Sequence, residues 1–242
     1  MQKEKIITDL LSLGITSSDN LLVHSSLSSL GWVEGGAITV IQALIETLPE
    51  GNLLMPALTY EYINKENPKF YTKTTPVCVG IIPETFRNYP GVIRSSHPTH
   101  SICVYGKQAA EIAGSHHMDN TPVGENSPLN KLPKLGGKIL MLGCGLRPNT
   151  SMHGVEEAAK APYVLQSTTT KLYVDSRETF HYKHNLSNSG VIQRYDRVAN
   201  ICDMKKGKVL DADVYVIDAN TLWETTLAKI NEYPYYFVDI SQ

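Results

Sequence analysis

Residues 20–56, NLLVHSSLSSLGWVEGGAITVIQALIETLPEGNLLMP, decide which fold class this chain enters. The apolar run Leu21-Leu22-Val23 predicts a strand over Asn20 to His24. Leu53, Leu54 and Met55 predict a second, buried strand over Asn52 to Pro56. Between them Ile38, Ile41, Leu44, Ile45 and Leu48 recur at the three- and four-residue spacing of an amphipathic helix, so Gly36 to Leu48 reads as helical. A strand, a loop, a helix and another strand form the repeating unit of an α/β layer fold. The same pattern extends in both directions. Helices are predicted at Lys5 to Leu13, Gly80 to Asn88 and Ala219 to Asn231, and strands at Ser101 to Tyr105, Lys138 to Leu142, Lys171 to Val174 and Val214 to Asp218.

The chain has 242 residues, 42% of them hydrophobic, and no repeat or low-complexity linker marks a boundary, so one domain is expected. A formal charge of -2 and a pI near 6.4 exclude a broad basic surface for nucleic acid. The N-terminus has no apolar signal-peptide core and no later run reaches membrane-spanning length, which predicts a cytoplasmic protein. Cys78, Cys103, Cys144 and Cys202 are widely spaced without a CxxC pair, so reduced thiols and no disulfide are expected.

Chemistry enters at Asn149-Thr150-Ser151-Met152-His153-Gly154-Val155-Glu156-Glu157, just past a glycine-rich strand end. If this segment is helical, positions three apart share a face, so His153 and Glu156 meet and the carboxylate can hold the imidazole ready to accept a proton. The plainer reading is a surface pair on an ordinary helix. The first loop, His24-Ser25-Ser26-Leu27-Ser28-Ser29-Leu30-Gly31 with Gly35-Gly36 beyond it, leaves backbone N–H groups and a helix start free for a phosphate or a carbonyl. A serine-rich turn that only caps a helix fits it equally, since the loop has no P-loop pattern.

Gly143-Cys144-Gly145 follows a strand as a dinucleotide fingerprint would, but Pro148 stands where the third glycine belongs, which sets a Rossmann site aside. Cys144 has no base to pair with and reads as a packing residue. His97, His100, His116, His117 and His153 could gather around a divalent ion. Pro98 makes a helical His-x-x-His improbable and no carboxylate-rich triad joins them, so no metal is expected. His97 and His100 are read as structural residues beside a bound ligand.

Six separated motifs occur together: His24-Ser25-Ser26-Leu27; Leu54-Met55-Pro56; Thr74-Thr75-Pro76 with Gly80, Pro83-Glu84 and Phe86-Arg87; Arg94-Ser95-Ser96-His97-Pro98; Gly124-Glu125-Asn126-Ser127-Pro128; and Asn149-Thr150 with His153, Glu156 and Glu157. In this order, over residues 15–165, they resemble the aminoglycoside 3-N-acetyltransferases. The resemblance implies an acetyl-CoA-dependent N-acetyltransferase with a three-layer α/β/α arrangement around a central mixed sheet. Residues 1–165 would be the coenzyme A-binding and catalytic core, and 166–242 the acceptor-side region together with a C-terminal strand and helix. It implies Ser25, Ser26, Leu27, Thr75, Pro76, Val77, Ser96 and His97 as coenzyme A contacts. His153 becomes the general base and Glu156 the group that orients it, with direct transfer in a ternary complex. Glu61 is a further candidate for orienting the acceptor amine. The expected partners are acetyl-CoA and a small amine-bearing sugar, without nucleic acid or membrane, and a homodimer is left open.

Aminoglycosides are polycations, whose natural complement is a pocket of carboxylates. Between Lys171 and Leu210 the balance is the reverse. Lys171, Arg177, Lys183, Arg194, Arg197, Lys205, Lys206 and Lys208 outnumber Asp175, Glu178, Asp196 and Asp203. Arginine and lysine recognise phosphate, so the preferred acceptor is an amino sugar carried on a nucleotide diphosphate. Three alternatives stay open: an aminoglycoside acceptor, a protein that binds a CoA thioester without catalysis, and a metal-dependent hydrolase built on the histidines.

Overall fold

A computed structural model describes residues 1–185 and 190–240. The chain begins with α1 (Gln2–Ser12), β1 (Asn20–Ser25), α2 (Gly36–Thr47) and β2 (Asn52–Pro56). The unit read from residues 20–56 is therefore present, each end within one residue of expectation. Next come β3 (Lys69–Phe70), α3 (Ile81–Arg87), β4 (Ile93–Arg94), β5 (Ile102–Gly106), α4 (Ala109–Gly114), α5 (Pro128–Lys134), β6 (Lys138–Leu142) and α6 (Ser151–Ala158). The remainder holds β7 (Thr170–Val174), β8 (Arg177–His181), β9 (Val191–Gln193), β10 (Lys205–Val209), β11 (Ala212–Asp218), α7 (Ala219–Glu232) and β12 (Val238–Ile240).

Seven strands form the central sheet in the order β10-β11-β6-β1-β2-β5-β4. β6, β1 and β2 run parallel, and antiparallel strands close both sides, so the sheet is mixed as expected. Successive residues of a strand point to opposite faces. Leu21 and Val23 therefore enter one core with α1, α2 and α3, while Leu22 enters the other with α4 to α7. Leu53 and Met55 part from Leu54 in the same way, and Leu140 and Leu142 from Ile139 and Met141. A parallel centre covered on both faces explains why these strands read as continuous apolar runs. The result is a three-layer α/β/α sandwich.

β3, β7 and β8 make a second small sheet over Ile63, Phe70, Leu172 and Val174, and β9 pairs with β12. Beyond the elements predicted from the sequence, the structure has strands β3, β4, β8, β9, β10 and β12 and helices α4 and α5, which are short or lack a clear apolar pattern. The C-terminal strand and helix expected within 166–242 are present as β11 and α7. β10, β11 and α7 return to the central layers, where Val214 to Asp218 pair with Leu142 to Lys138. Their apolar residues Val214, Ile217 and Leu222 are buried in the two cores that flank the sheet. No helix among the described residues is long and apolar enough to cross a membrane.

Candidate active site

After β6 the chain turns sharply at Gly143, whose φ of +73 suits glycine and whose Cβ, if present, would lie 2.6 Å from Ser29 Cβ. That close approach lets Ser29 Oγ donate to the Gly143 carbonyl at 2.7 Å, pinning the serine-rich loop beside the end of β6. The loop then runs into α6, which carries His153 and Glu156. Gly154 lies between them because a Cβ there would meet the Trp223 ring at 2.6 Å, so only glycine lets α6 and α7 approach this closely.

Glu156 is fully buried and His153 nearly so. The Glu156 carboxylate accepts hydrogen bonds from Tyr195 at 2.6 Å and Tyr163 at 3.1 Å, with His153 Nδ1 3.4 Å away. Tyr195 Oη also lies 2.9 Å from His153 Nδ1 and accepts from Gln193 Nε2 at 2.8 Å. Burial, reinforced by Glu156, holds the Tyr195 phenol protonated well above its ordinary range. Its single proton goes to the carboxylate, so Tyr195 Oη accepts from His153 Nδ1–H. This assignment places the imidazole proton on Nδ1 and leaves Nε2 with a free lone pair. The structure thus brings His153 and Glu156 together, with a tyrosine bridging them that sequence reasoning missed. Tyr195 lies 42 residues from His153 in the chain, in a segment with no recognisable motif.

His153 opens onto a cleft of about 450 Å³, lined also by Leu58, Tyr60, Thr99, His100, Arg147, Thr150, Lys183, His184, Gln193 and Tyr195. Glu157 sits beneath its wall, accepting from Val123 N–H at 2.9 Å and contacting His184 Nε2 at 2.7 Å. Burial pushes the Glu157 carboxyl up to about 7. Burial likewise holds His100 and His184 well below the usual histidine range. Among the described residues no carboxylate lines this cleft, and its cations are Arg147 and Lys183. Of the eight basic residues counted between Lys171 and Leu210, only Lys183 reaches it. Lys171 pairs with Glu178, Arg194 with Asp196 and Asp239, Arg197 with Asp239, and Lys208 with Asp213.

A second cavity of about 630 Å³ is formed by Ser25, Ser26, Leu27 and Ser28, with Trp32, Gly35, Gly36, Gly80 and Ile81. The buried Ser25 hydroxyl has no hydrogen-bond partner among the described residues, and Trp32 is 86% exposed. The two hollows meet at two points. Ser25 lines the second while Nε2 of its neighbour His24 lies 3.5 Å from the cleft residue Thr150, and Val79 lines the cleft while Gly80 lines the second. Serine hydroxyls, glycine backbone and an aromatic ring suit an extended ligand with amide groups and a planar base.

The other expected cofactor contacts line neither hollow. Thr75, Pro76 and Val77 belong to a scaffold around Arg94, which donates to the carbonyls of Thr75 at 2.6 Å and Ala57 at 2.9 Å and to Ser101 Oγ at 2.9 Å. The Val77 N–H is already taken by Glu84 at 2.9 Å. His97 is fully buried and its Nδ1 accepts from His100 N–H at 3.0 Å, closing the Pro98 turn; Ser96 lies beside it. Glu61 is exposed and does not line the cleft, although its neighbour Tyr60 does. Cys144 is half-buried with its thiol pushed up to about 11, in keeping with packing rather than nucleophilic attack.

The profile of the aminoglycoside 3-N-acetyltransferase family matches residues 22–230 of this chain. The chain is 37% identical over 175 residues to the SPbeta prophage-derived aminoglycoside N(3')-acetyltransferase-like protein YokD of Bacillus subtilis (strain 168), a match spanning 64% of each protein. It is 32% identical over 244 residues to aminoglycoside N(3)-acetyltransferase IV of Salmonella sp, covering 98% of this chain and 90% of that one. In three dimensions it is similar to the crystal structure of YokD, with a TM-score of 0.82 at 28% identity over 96% of this chain and 99% of that one. It is also similar to a histidine-to-alanine mutant of aminoglycoside acetyltransferase AAC(3)-IVa in complex with gentamicin, with a TM-score of 0.84 at 29% identity over 98% and 90% of the two chains.

Proposed function

Since the chain belongs to the aminoglycoside 3-N-acetyltransferase family, we propose that it transfers the acetyl group of acetyl-CoA to a primary amine of an amino sugar, with His153 as general base. The observation that carries this reading is the bonding of His153. Its Nδ1 is committed to Tyr195 and Glu156, so Nε2 is the nitrogen that can take a proton from the attacking amine. The developing imidazolium is stabilised by the Glu156 carboxylate directly and through the phenol. The proton held on Nε2 is then available to the departing thiolate, which balances the transfer. The donor lies in the serine-lined cavity and the acceptor in the His153 cleft, and the wall shared by the two hollows is where the reacting groups meet. Backbone N–H groups of the first loop face the thioester oxygen and steady the charge that develops on it.

The acceptor differs from a polycation. A cleft whose charged lining is Arg147 and Lys183, with no carboxylate among the described residues, repels an aminoglycoside and favours an amino sugar bearing phosphate. A nucleotide-linked amino sugar meets that description. An aminoglycoside acceptor is the second reading, favoured by the names of the relatives.

Thiol release from acetyl-CoA, measured with both acceptor panels for wild type and His153→Ala, tests the proposal. Turnover that falls by about 10²–10⁴-fold in His153→Ala while acetyl-CoA binding is retained is the expected result. Equal turnover in the variant would remove His153 from the mechanism. Turnover with aminoglycosides alone would overturn the acceptor reading and leave the base in place.

A further inference from the structure

Beyond acetyl transfer, we propose that the cleft contains a three-histidine site for a divalent transition metal, zinc foremost, made by His100, His153 and His184, and that a metal bound there inhibits the enzyme. One ring nitrogen from each of these residues lies within 4.8 Å of the others. The ring centroids of His153 and His184 are 4.5 Å apart, and those of His100 and His184 4.7 Å. Zinc bound at about 2.0–2.1 Å in a tetrahedral site needs its nitrogens about 3.3 Å apart, which small side-chain rotations achieve.

The stronger indication comes from the far side of each ring. A ligating histidine characteristically fixes its second nitrogen on an oxygen, which sets the tautomer and aims the first nitrogen at the metal. All three do so here. His184 Nε2 contacts Glu157 Oε1 at 2.7 Å, His153 Nδ1 contacts Tyr195 Oη at 2.9 Å with Glu156 behind it, and His100 Nδ1 contacts Thr99 Oγ1 at 2.9 Å. Each ring therefore has one nitrogen left, and all three residues line the same cleft. Imidazole suits zinc, copper and nickel, and three protein ligands leave a fourth tetrahedral position for water.

The consequence for activity rests on the reading of His153 as base; the binding site itself does not. A metal on His153 occupies the lone pair that would accept the amine's proton and fills space the acceptor needs. A metal held there therefore acts as a brake on transfer.

The test uses chelator-treated protein without substrates. Cobalt(II) is titrated while the visible absorption of tetrahedral cobalt is followed, and zinc(II) is titrated by calorimetry. The expected result is about one equivalent bound by wild type. His184→Ala and His100→Ala should each weaken binding by at least about tenfold. Glu157→Gln, nearly isosteric and leaving all three ligands, should weaken it by about 10- to 100-fold. His117→Ala, an exposed histidine outside the cluster, should bind as wild type does. Absence of stoichiometric binding in wild type, or wild-type affinity retained in both His184→Ala and Glu157→Gln, would overturn the site. Thiol-release turnover should then fall by about tenfold at zinc tenfold above its Kd and return on adding EDTA. Full turnover by the zinc-loaded enzyme would overturn the inhibitory role. Because metal binding is read without acceptor or donor, its failure is separate from any failure of the transferase reading.

Discussion

The His153 cleft and the serine-lined cavity share a wall but are built in opposite ways. The cavity is made largely by one continuous stretch, Ser25 to Gly36, and offers small hydroxyls, glycines and backbone groups. The cleft is assembled from side chains of segments far apart in sequence: Tyr60, His100, Arg147, His153, His184 and Tyr195. A site built from one loop tolerates loss of any single side chain, because backbone N–H groups remain. A site built from a side-chain network fails when one member is removed, because its partners lose their orientation.

The largest effect that would break this contrast is expected at Tyr195. Tyr195→Phe removes the hydroxyl that accepts from His153 Nδ1 and donates to Glu156, leaving a 3.4 Å gap between imidazole and carboxylate. Turnover should fall by about 10- to 100-fold with little change in KM for acetyl-CoA, consistent with loss of a hydrogen bond to a charged group. The pH profile should move as well, since the base loses its bridge. A variant with unchanged kcat and pH profile would reduce Tyr195 to a packing residue.

An intermediate effect follows from the histidines beside and behind the cleft. His97 stacks on His116 and meets His181, and His100 meets His184, which meets His153. Burial lowers His116 to about 3 and His181 to about 4, and it lowers His97, His100 and His184 as well. In the unfolded chain these imidazoles bind protons once the pH drops below about 6.5, while in the folded protein they stay neutral to much lower pH. Unfolding therefore takes up protons in this window. Stability should be full above pH 6.5 and decline toward about pH 4, so the urea midpoint should fall between about pH 7.5 and pH 5. A flat midpoint across that range would mean that these histidines take up protons in the folded protein as readily as in the unfolded chain.

The smallest effect belongs to the serine loop. Ser26 Oγ interacts with Ser29 Oγ at 3.0 Å and Ser28 Oγ at 3.3 Å, so Ser26→Ala removes only neutral hydrogen bonds. KM for acetyl-CoA should rise by no more than about fivefold. A hundredfold rise would mean that the hydroxyl, and not the backbone, holds the donor, and the contrast between the two hollows would disappear.

The same contrast explains what could be read in advance. The serine loop and the His153/Glu156 pair each lie within a few consecutive residues, and local spacing revealed both. Ser25, Ser26 and Leu27 line a cavity, whereas Thr75, Pro76, Val77, Ser96 and His97 are gathered into the scaffold around Arg94 and the Pro98 turn. Their motif was legible; which of their groups would be used up internally was not. The charge count from Lys171 to Leu210 likewise described the surface more than the cleft, because half of those cations pair with nearby acids, only Lys183 lines the cleft, and Arg147 lay outside the counted stretch.

The sequence by itself determined the layers. Continuous apolar runs and apolar spacings of three and four residues are local properties, and they mark the buried strands and the helix faces that must leave water. It also determined that His153 and Glu156 would share a face of α6. Only the tertiary structure decided that Tyr195 would bridge them, that His100 and His184 would join His153, and that the cleft would present Arg147 and Lys183 with no carboxylate among the described residues. Those contacts link residues tens of positions apart, and no periodicity encodes them. They exist because closing the sheet over its two cores brings distant loops to the same place.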